Sequence, residues 1–340
     1  MKKTLTLIFA FALVLISLSS CAKKTPKDYA AKHGFKTGIA VETGDMYNED
    51  HLKIIRENSS IIVAGNCMKW ANLRPNKTFW NWSDVDHLIE FAEKNKMAVK
   101  WHTLFWHNQN PGFLSSLLKT REQALEVMDE HITTIMTRYK GRISEYDVVN
   151  EMFNEDGTMR ETLWYKAIGK DYIEHALIKA HETDPDAKLF LNEYNNEEQG
   201  NKKADAMYEM VKDFVNRGIP IDGVGFQLHL ATIYPYNETA VRSNIRRYAD
   251  LGLEVSFSEV DVRMPVPPSE SDLQTQMDRY CSLAKLAREE PNVTSFITWG
   301  ITDKQSWIPA TFPGYGDALL YDRDLKKKPV YNAVLKEFAK

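Results

Sequence analysis

Glu145-Tyr-Asp-Val-Val-Asn-Glu151 is the stretch that decides the fold. A short, mostly apolar run ends abruptly in an amide and a carboxylate, and an amphipathic segment follows at 162–183. A run of that length with little alternation suits a strand covered on both faces. Working outward, seven more runs of this kind appear, at 37–41, 60–64, 98–105, 188–192, 223–227, 254–258 and 295–300. Between them lie helix-like segments such as 83–95, 121–138, 202–217, 238–251 and 271–288. Strands that alternate with helices imply parallel βαβ units. Eight such units in roughly 300 residues predict an α/β fold, a closed (β/α)8 TIM barrel in one domain over 33–340. A doubly wound open sheet is the alternative, but the Gly-rich phosphate loop that fold carries after its first strand is missing.

In a barrel the chemistry sits at the C-terminal ends of the strands. The second run is followed by Asn66 and Lys69, the third by Trp106 and Gln109 after its own His102, and the fourth by Asn150-Glu151. The fifth leads to Asn195, the sixth to Gln227 and His229, the seventh to Glu259 and Asp261, and the eighth to Trp299 and Trp307. One polar residue after a strand is ordinary loop composition. Seven strand ends that converge on polar and aromatic groups predict a site. Glu151 and Glu259 face each other across such a mouth, and glycoside hydrolysis needs two carboxyls that flank the scissile bond. A His229–Asp261 pair beside Glu259 holds that carboxylate ionised and oriented, as a nucleophile requires. Glu151, after an apolar strand and before Met152 and Phe153, is then the acid/base. Asn150 is placed to donate to a sugar 2-hydroxyl, His102 and Lys69 to other hydroxyls, and Trp299 and Trp307 to wall the sugar ring. His102 and His107 sit on a strand and the loop after it, which sends their rings to different faces, so no metal is expected.

The bulk numbers agree. A net charge of −4 gives no reason to expect nucleic acid as a partner. Eight Trp suit a protein that stacks rings on sugar faces, although a large core uses Trp as well. Cys21, Cys67 and Cys281 form no CxxC pair, so neither a disulfide framework nor a zinc site is expected. At the N-terminus, Lys2 and Lys3 precede an apolar run over 5–18 that ends Leu18-Ser19-Ser20-Cys21. Small residues before a Cys resemble a bacterial lipobox. Residues 1–20 are therefore read as a lipoprotein signal peptide, Cys21 as the lipidated residue and 21–32 as a polar tether. No acidic cluster follows the Cys. That favours a periplasm-facing membrane anchor, with the cell surface as the alternative.

Taken in order, Asn66-Cys-Met-Lys-Trp70, His102-Thr-Leu-Phe-Trp-His-Asn-Gln109, Asp147-Val-Val-Asn-Glu151, Asn192-Glu-Tyr-Asn195, Gly225-Phe-Gln-Leu-His229, Ser258-Glu-Val-Asp261, Thr298-Trp-Gly-Ile-Thr-Asp303 and Lys328-Pro-Val-Tyr331 resemble the family 10 glycoside hydrolases, the endo-β-1,4-xylanases. The resemblance runs from about 33 to 338. It implies a retaining enzyme acting on xylan or xylo-oligosaccharides, with Glu151 as acid/base, Glu259 as nucleophile and no cofactor. It also implies that Lys69, His102, Trp106, Asn150, Gln227, His229, Trp299 and Trp307 line the subsite of the bond being cut. Asn66 and Gln109 would bind the next sugar on the non-reducing side. A barrel of this size is expected to stand as a monomer.

Three positions depart from the family pattern. Gly65 stands where a Glu is usual, Trp101 where a Gly is usual, and Glu193 where an Asp is usual. Losing a charged hydrogen bond at position 65 would cost about 1.5–3 kcal/mol of binding. Gly65 and Trp101 together suggest a second reading: the same chemistry on a decorated or mixed-linkage xylan, or on short or aryl glycosides. On that reading Gly65→Glu would raise activity on linear xylan. A third reading, a non-catalytic glycan-capturing lipoprotein, sits poorly with an intact carboxylate pair.

Overall fold

The computed structural model describes residues 24–340, so Cys21 and the signal segment lie outside the described residues. Among the described residues, ten strands occur in chain order: β1 (Lys36–Val41), β2 (Ile61–Ala64), β3 (Ala98–Phe105), β4 (Glu145–Asn150), β5 (Lys188–Glu193), β6 (Gly223–Phe226), β7 (His229–Ala231), β8 (Glu254–Pro265), β9 (Val293–Thr298) and β10 (Tyr315–Gly316). Strands β1 to β6, β8 and β9 pair in parallel, each with its neighbour. The ring closes where β9 pairs with β1, as Lys36 opposes Ser295 and Ile39 opposes Thr298. The open-sheet alternative is thereby excluded.

Every residue of β2, β4 and β6 is buried, as near-continuous apolar runs demand. Ala40, Ile61, Val63 and Ile297 form a small cluster of their own, apart from the large core between strands and helices. The neighbouring part of the ring, at β3 and β4, is polar inside. Lys100 Nζ lies 2.9 Å from Asp147 and 3.7 Å from Glu145, and all three are buried. Taking charges out of water is tolerated only with partners this close.

Outside the ring, helices follow the strands. Ser269 opens the helix Glu270–Glu289 with a capping box to Asp272, and Gly218 closes Lys202–Arg217 in a left-handed conformation. The N-terminal boundary is earlier than the sequence reading had it. Residues expected to be tether form a helix, Pro26–Lys32, with Pro26 and Ala30 buried and Lys27 bonded to the Arg56 carbonyl. The apolar spacing of Pro26 and Ala30 fits one helix face, so the folded unit begins near 26. No helix among the described residues is long and apolar enough to cross a membrane.

Trp101 also corrects an expectation. Side chains alternate along β3, so His102 faces the barrel mouth and Trp101 the helix layer. Trp101 is fully buried, with Tyr139 at 5.6 Å and Tyr146 at 6.2 Å between ring centroids. It fills core and does not touch the groove, so it reshapes no substrate site.

Candidate active site

A groove of about 1070 Å³ crosses the C-terminal mouth of the barrel. Glu42, Asn66, Lys69, His102, Trp106, Asn150, Glu151, Asn195, Gln227, His229, Glu259, Trp299 and Trp307 all line it. Of the expected residues, Asp261 is buried behind His229 and Gln109 stands at the exposed rim, where its amide donates to Asn66 Oδ1 at 3.1 Å. Asn195 lies on a different arm of the groove, bonded to Glu155 at 3.0 Å.

Glu259 is almost fully buried on β8. Its Oε1 accepts from Asn192 Nδ2 at 2.6 Å, and its Oε2 lies 3.3 Å from His229 Nε2. His229 Nδ1 is 2.9 Å from Asp261 Oδ2, which also accepts from Trp307 Nε1 at 2.8 Å. Burial works against the charge on His229, but Asp261 and Glu259 outweigh it and push the imidazole up to about 10. Burial likewise raises Glu259, yet the His102, His229 and Lys69 side chains hold it down to about 2. The result is a carboxylate locked in its ionised form.

Glu151 is built differently. It follows β4 with φ 56°, a left-handed conformation that costs a non-Gly residue about 1–3 kcal/mol unless neighbours hold it. They do hold it: Arg160 Nε donates to the Glu151 carbonyl at 3.1 Å, and Glu193 Oε2 accepts from the Phe153 N–H at 2.9 Å. Lys203 pins Glu193 at 2.9 Å, so the longer carboxylate at this position anchors the chain behind Glu151. The Glu151 side chain has only long contacts: Gln227 and Asn150 amides donate at 3.3 Å, and His107 Nδ1 lies 3.5 Å away. One carboxylate charge-locked and one loosely held is the asymmetry that nucleophilic attack plus proton delivery requires.

Asn192 joins the two halves. It donates to Glu259 Oε1 and, at 2.9 Å, to Asn150 Oδ1, while its own oxygen accepts from Ser258 Oγ at 2.7 Å. Gly225 makes room for it, since a Cβ there would collide with the Asn192 amide. Lys69 Nζ lies over the rings of Trp106 at 4.8 Å and Trp299 at 5.8 Å. Among the described residues, no group of three or more His, Cys, Asp or Glu is arranged to hold a metal ion.

Gly65 is the second correction. The space beside it is not empty. A Cβ on Gly65 would collide with Glu42 Oε1 and lie 2.9 Å from the Glu42 carboxyl carbon. Glu42, at the end of β1, projects into the groove and accepts from Asn66 Nδ2 at 2.9 Å. The position therefore keeps a carboxylate, delivered from the neighbouring strand, and Gly65→Glu is expected to clash rather than to restore anything. Glu42, His107 and Asn192 were missed as site residues in the sequence. Glu42 reads there as one more loop acid after a strand. His107 and Asn192 stand inside recognised motifs, which is the signal that was available for them.

With this geometry in hand, the similarities to known proteins fall into place. Residues 26–337 match Glycosyl hydrolase family 10, and the chain belongs to that family. It is 39% identical over 287 residues to endo-1,4-beta-xylanase B of Thermotoga neapolitana, covering 84% of this chain and 82% of that one. The crystal structure of xylanase 10B from Thermotoga petrophila in complex with xylobiose is similar with a TM-score of 0.89 and 37% identity, covering 92% of this chain and 97% of that one. Native xylanase 10B from Thermotoga maritima is similar with a TM-score of 0.89 and 38% identity, covering 92% and 98%.

Proposed function

We propose that this protein is a retaining endo-β-1,4-xylanase, with Glu259 as nucleophile and Glu151 as acid/base. The observation that carries the reading is the His229–Asp261 and Asn192 frame, which keeps Glu259 ionised beside the loosely held Glu151. Glu259 attacks the anomeric carbon while Glu151 protonates the leaving oxygen, which gives a covalent glycosyl-enzyme. Glu151, now a carboxylate, takes a proton from water, which attacks the same carbon and releases Glu259. Asn150 donates to the 2-hydroxyl, a contact that strengthens in the transition state. Lys69, His102 and Gln227 hold other hydroxyls, Trp106, Trp299 and Trp307 wall the ring, and Asn66 with Gln109 takes the next sugar on the non-reducing side. Asn195 contacts sugar on the other arm.

Purified residues 22–340 are expected to release short xylo-oligosaccharides from linear xylan, read by chromatography. Glu259→Ala is expected to lose on the order of 10⁵-fold or more in kcat. Wild-type-like turnover by that variant would sink the assignment, and silence of the wild type on every β-xyloside would favour the glycan-capturing reading. The Leu18-Ser19-Ser20-Cys21 stretch further supports lipidation of Cys21 and attachment to a membrane, facing the periplasm. Cys21→Ala should then leave the protein in the soluble fraction of fractionated cells; retention in the membrane fraction would count against the anchor.

A further inference from the structure

The Glu42 carboxylate is built like a ligand contact. Its backbone is fixed from behind: the Glu42 N–H donates to Asp45 Oδ2 at 2.8 Å, and buried Asp45 is held in turn by His51 at 2.8 Å and Gln305 at 3.0 Å. The side chain is exposed to the groove, and one oxygen is aligned by Asn66 at 2.9 Å. Oε2 accepts no hydrogen bond among the described residues, so a free acceptor faces the groove. No lysine or arginine lies within ion-pair distance of Glu42 among the described residues, and the cation whose charge acts on it is Lys69, itself a groove residue. Gly65 clears the path from β1 to this spot, and any side chain there would displace the carboxylate. Asp45 also closes the capping box of the turn Thr43–Tyr47, so that contact has a structural duty of its own, whereas the path cleared at Gly65 has none.

We infer that Glu42 is a specificity-determining residue: with Asn66 it grips the secondary hydroxyls of the second sugar on the non-reducing side of the cut. This rests on the proposed xylanase reading. The sugar it takes is an unbranched β-1,4-linked xylose with those hydroxyls free. A uronic acid branch on that sugar would meet like charge.

The test compares two probes in wild type and variants: 4-nitrophenyl β-xylobioside, which reaches the second sugar site, and 4-nitrophenyl β-xyloside, which does not. Glu42→Ala is expected to lose about ten- to a hundredfold in kcat/KM on the xylobioside, the span of one charged hydrogen bond. That loss should be at least about fivefold larger than on the xyloside. Glu42→Gln keeps the shape and the Asn66 contact, so it guards against misfolding and should show a smaller loss with the same bias. The double variant Glu42→Ala/Gly65→Glu moves the carboxylate back to β2 and should recover part of the loss. Equal losses on the two probes, or less than about a twofold loss in an active enzyme, would overturn the inference and leave the xylanase reading standing. A wild type inert on both probes and on xylan overturns both.

Discussion

Two glycines in this barrel make room for a polar side chain from the strand next door, and their surroundings differ in one respect. Gly225 on β6 admits Asn192 from β5, and Gly65 after β2 admits Glu42 from the end of β1. Asn192 is fully buried, with both ends of its amide bonded inside the protein. Glu42 is exposed, with one oxygen bonded and the other free. A side chain with every valence satisfied internally positions other groups, whereas one left with a free acceptor is set up to take a ligand. The floor under Glu259 is therefore expected to respond to mutation as a rigid unit, and the wall at Glu42 as a binding contact.

The comparison breaks most visibly at Asn192. Asn192→Ala removes the short bond to Glu259 and the link to Asn150, and kcat is expected to fall by about 10²–10³-fold. Steady-state kinetics on xylan or an aryl xylobioside read this directly. His229→Asn comes next. Without the imidazolium, Glu259 rises from about 2 towards its ordinary range, so the acid limb of the kcat/KM profile moves to higher pH. An unmoved acid limb would remove His229 from its supporting role.

Stability carries the same signature. Glu259 is depressed from 4.5 to about 2, so its contribution is present above 4.5 and lost as pH falls through about 2. His229 is raised from 6.5 to about 10, so its contribution is present below 6.5 and lost as pH rises through about 10. Urea midpoints should therefore separate wild type from His229→Asn most clearly between these windows, near pH 4.5–6.5, with the gap closing towards pH 10.

The two glycines sharpen the contrast further. Gly225→Ala pushes against a buried amide that has nowhere to go and should cost about 1–3 kcal/mol of stability. Gly65→Ala pushes against a carboxylate that can swing into solvent. Its expected effect is a few-fold loss on the xylobioside with little change in melting temperature, about 0.5 kcal/mol or less. A comparable loss of stability in both variants would erase the distinction between floor and wall.

The barrel was legible because its strands are apolar runs that end in chemistry. A linear pattern does not carry the third dimension. β8 extends to Pro265, well past the run at 254–258, because His229 to Ala231 resumes pairing beside Asp261 to Arg263 after Leu228 turns with φ 60°. Nothing in a linear pattern marks that resumption. Trp101 stands beside His102 in sequence, yet period-two alternation sends the two to opposite faces. At Gly65 the residue that fills the space is 23 positions earlier, just past the end of another strand, which no linear pattern connects. Glu151 and Glu259 each stand directly after a recognisable run, and both line the groove.

The most direct measurement is to trap the covalent intermediate. A 2-fluoro-xylobiosyl fluoride slows release more than attack, so the sugar stays on the nucleophile long enough for peptide mapping by mass spectrometry. The account predicts a single label on the peptide that contains Glu259, and no label in Glu259→Ala. A label on Glu151, or full turnover of the reagent with no labelled carboxylate, would contradict it.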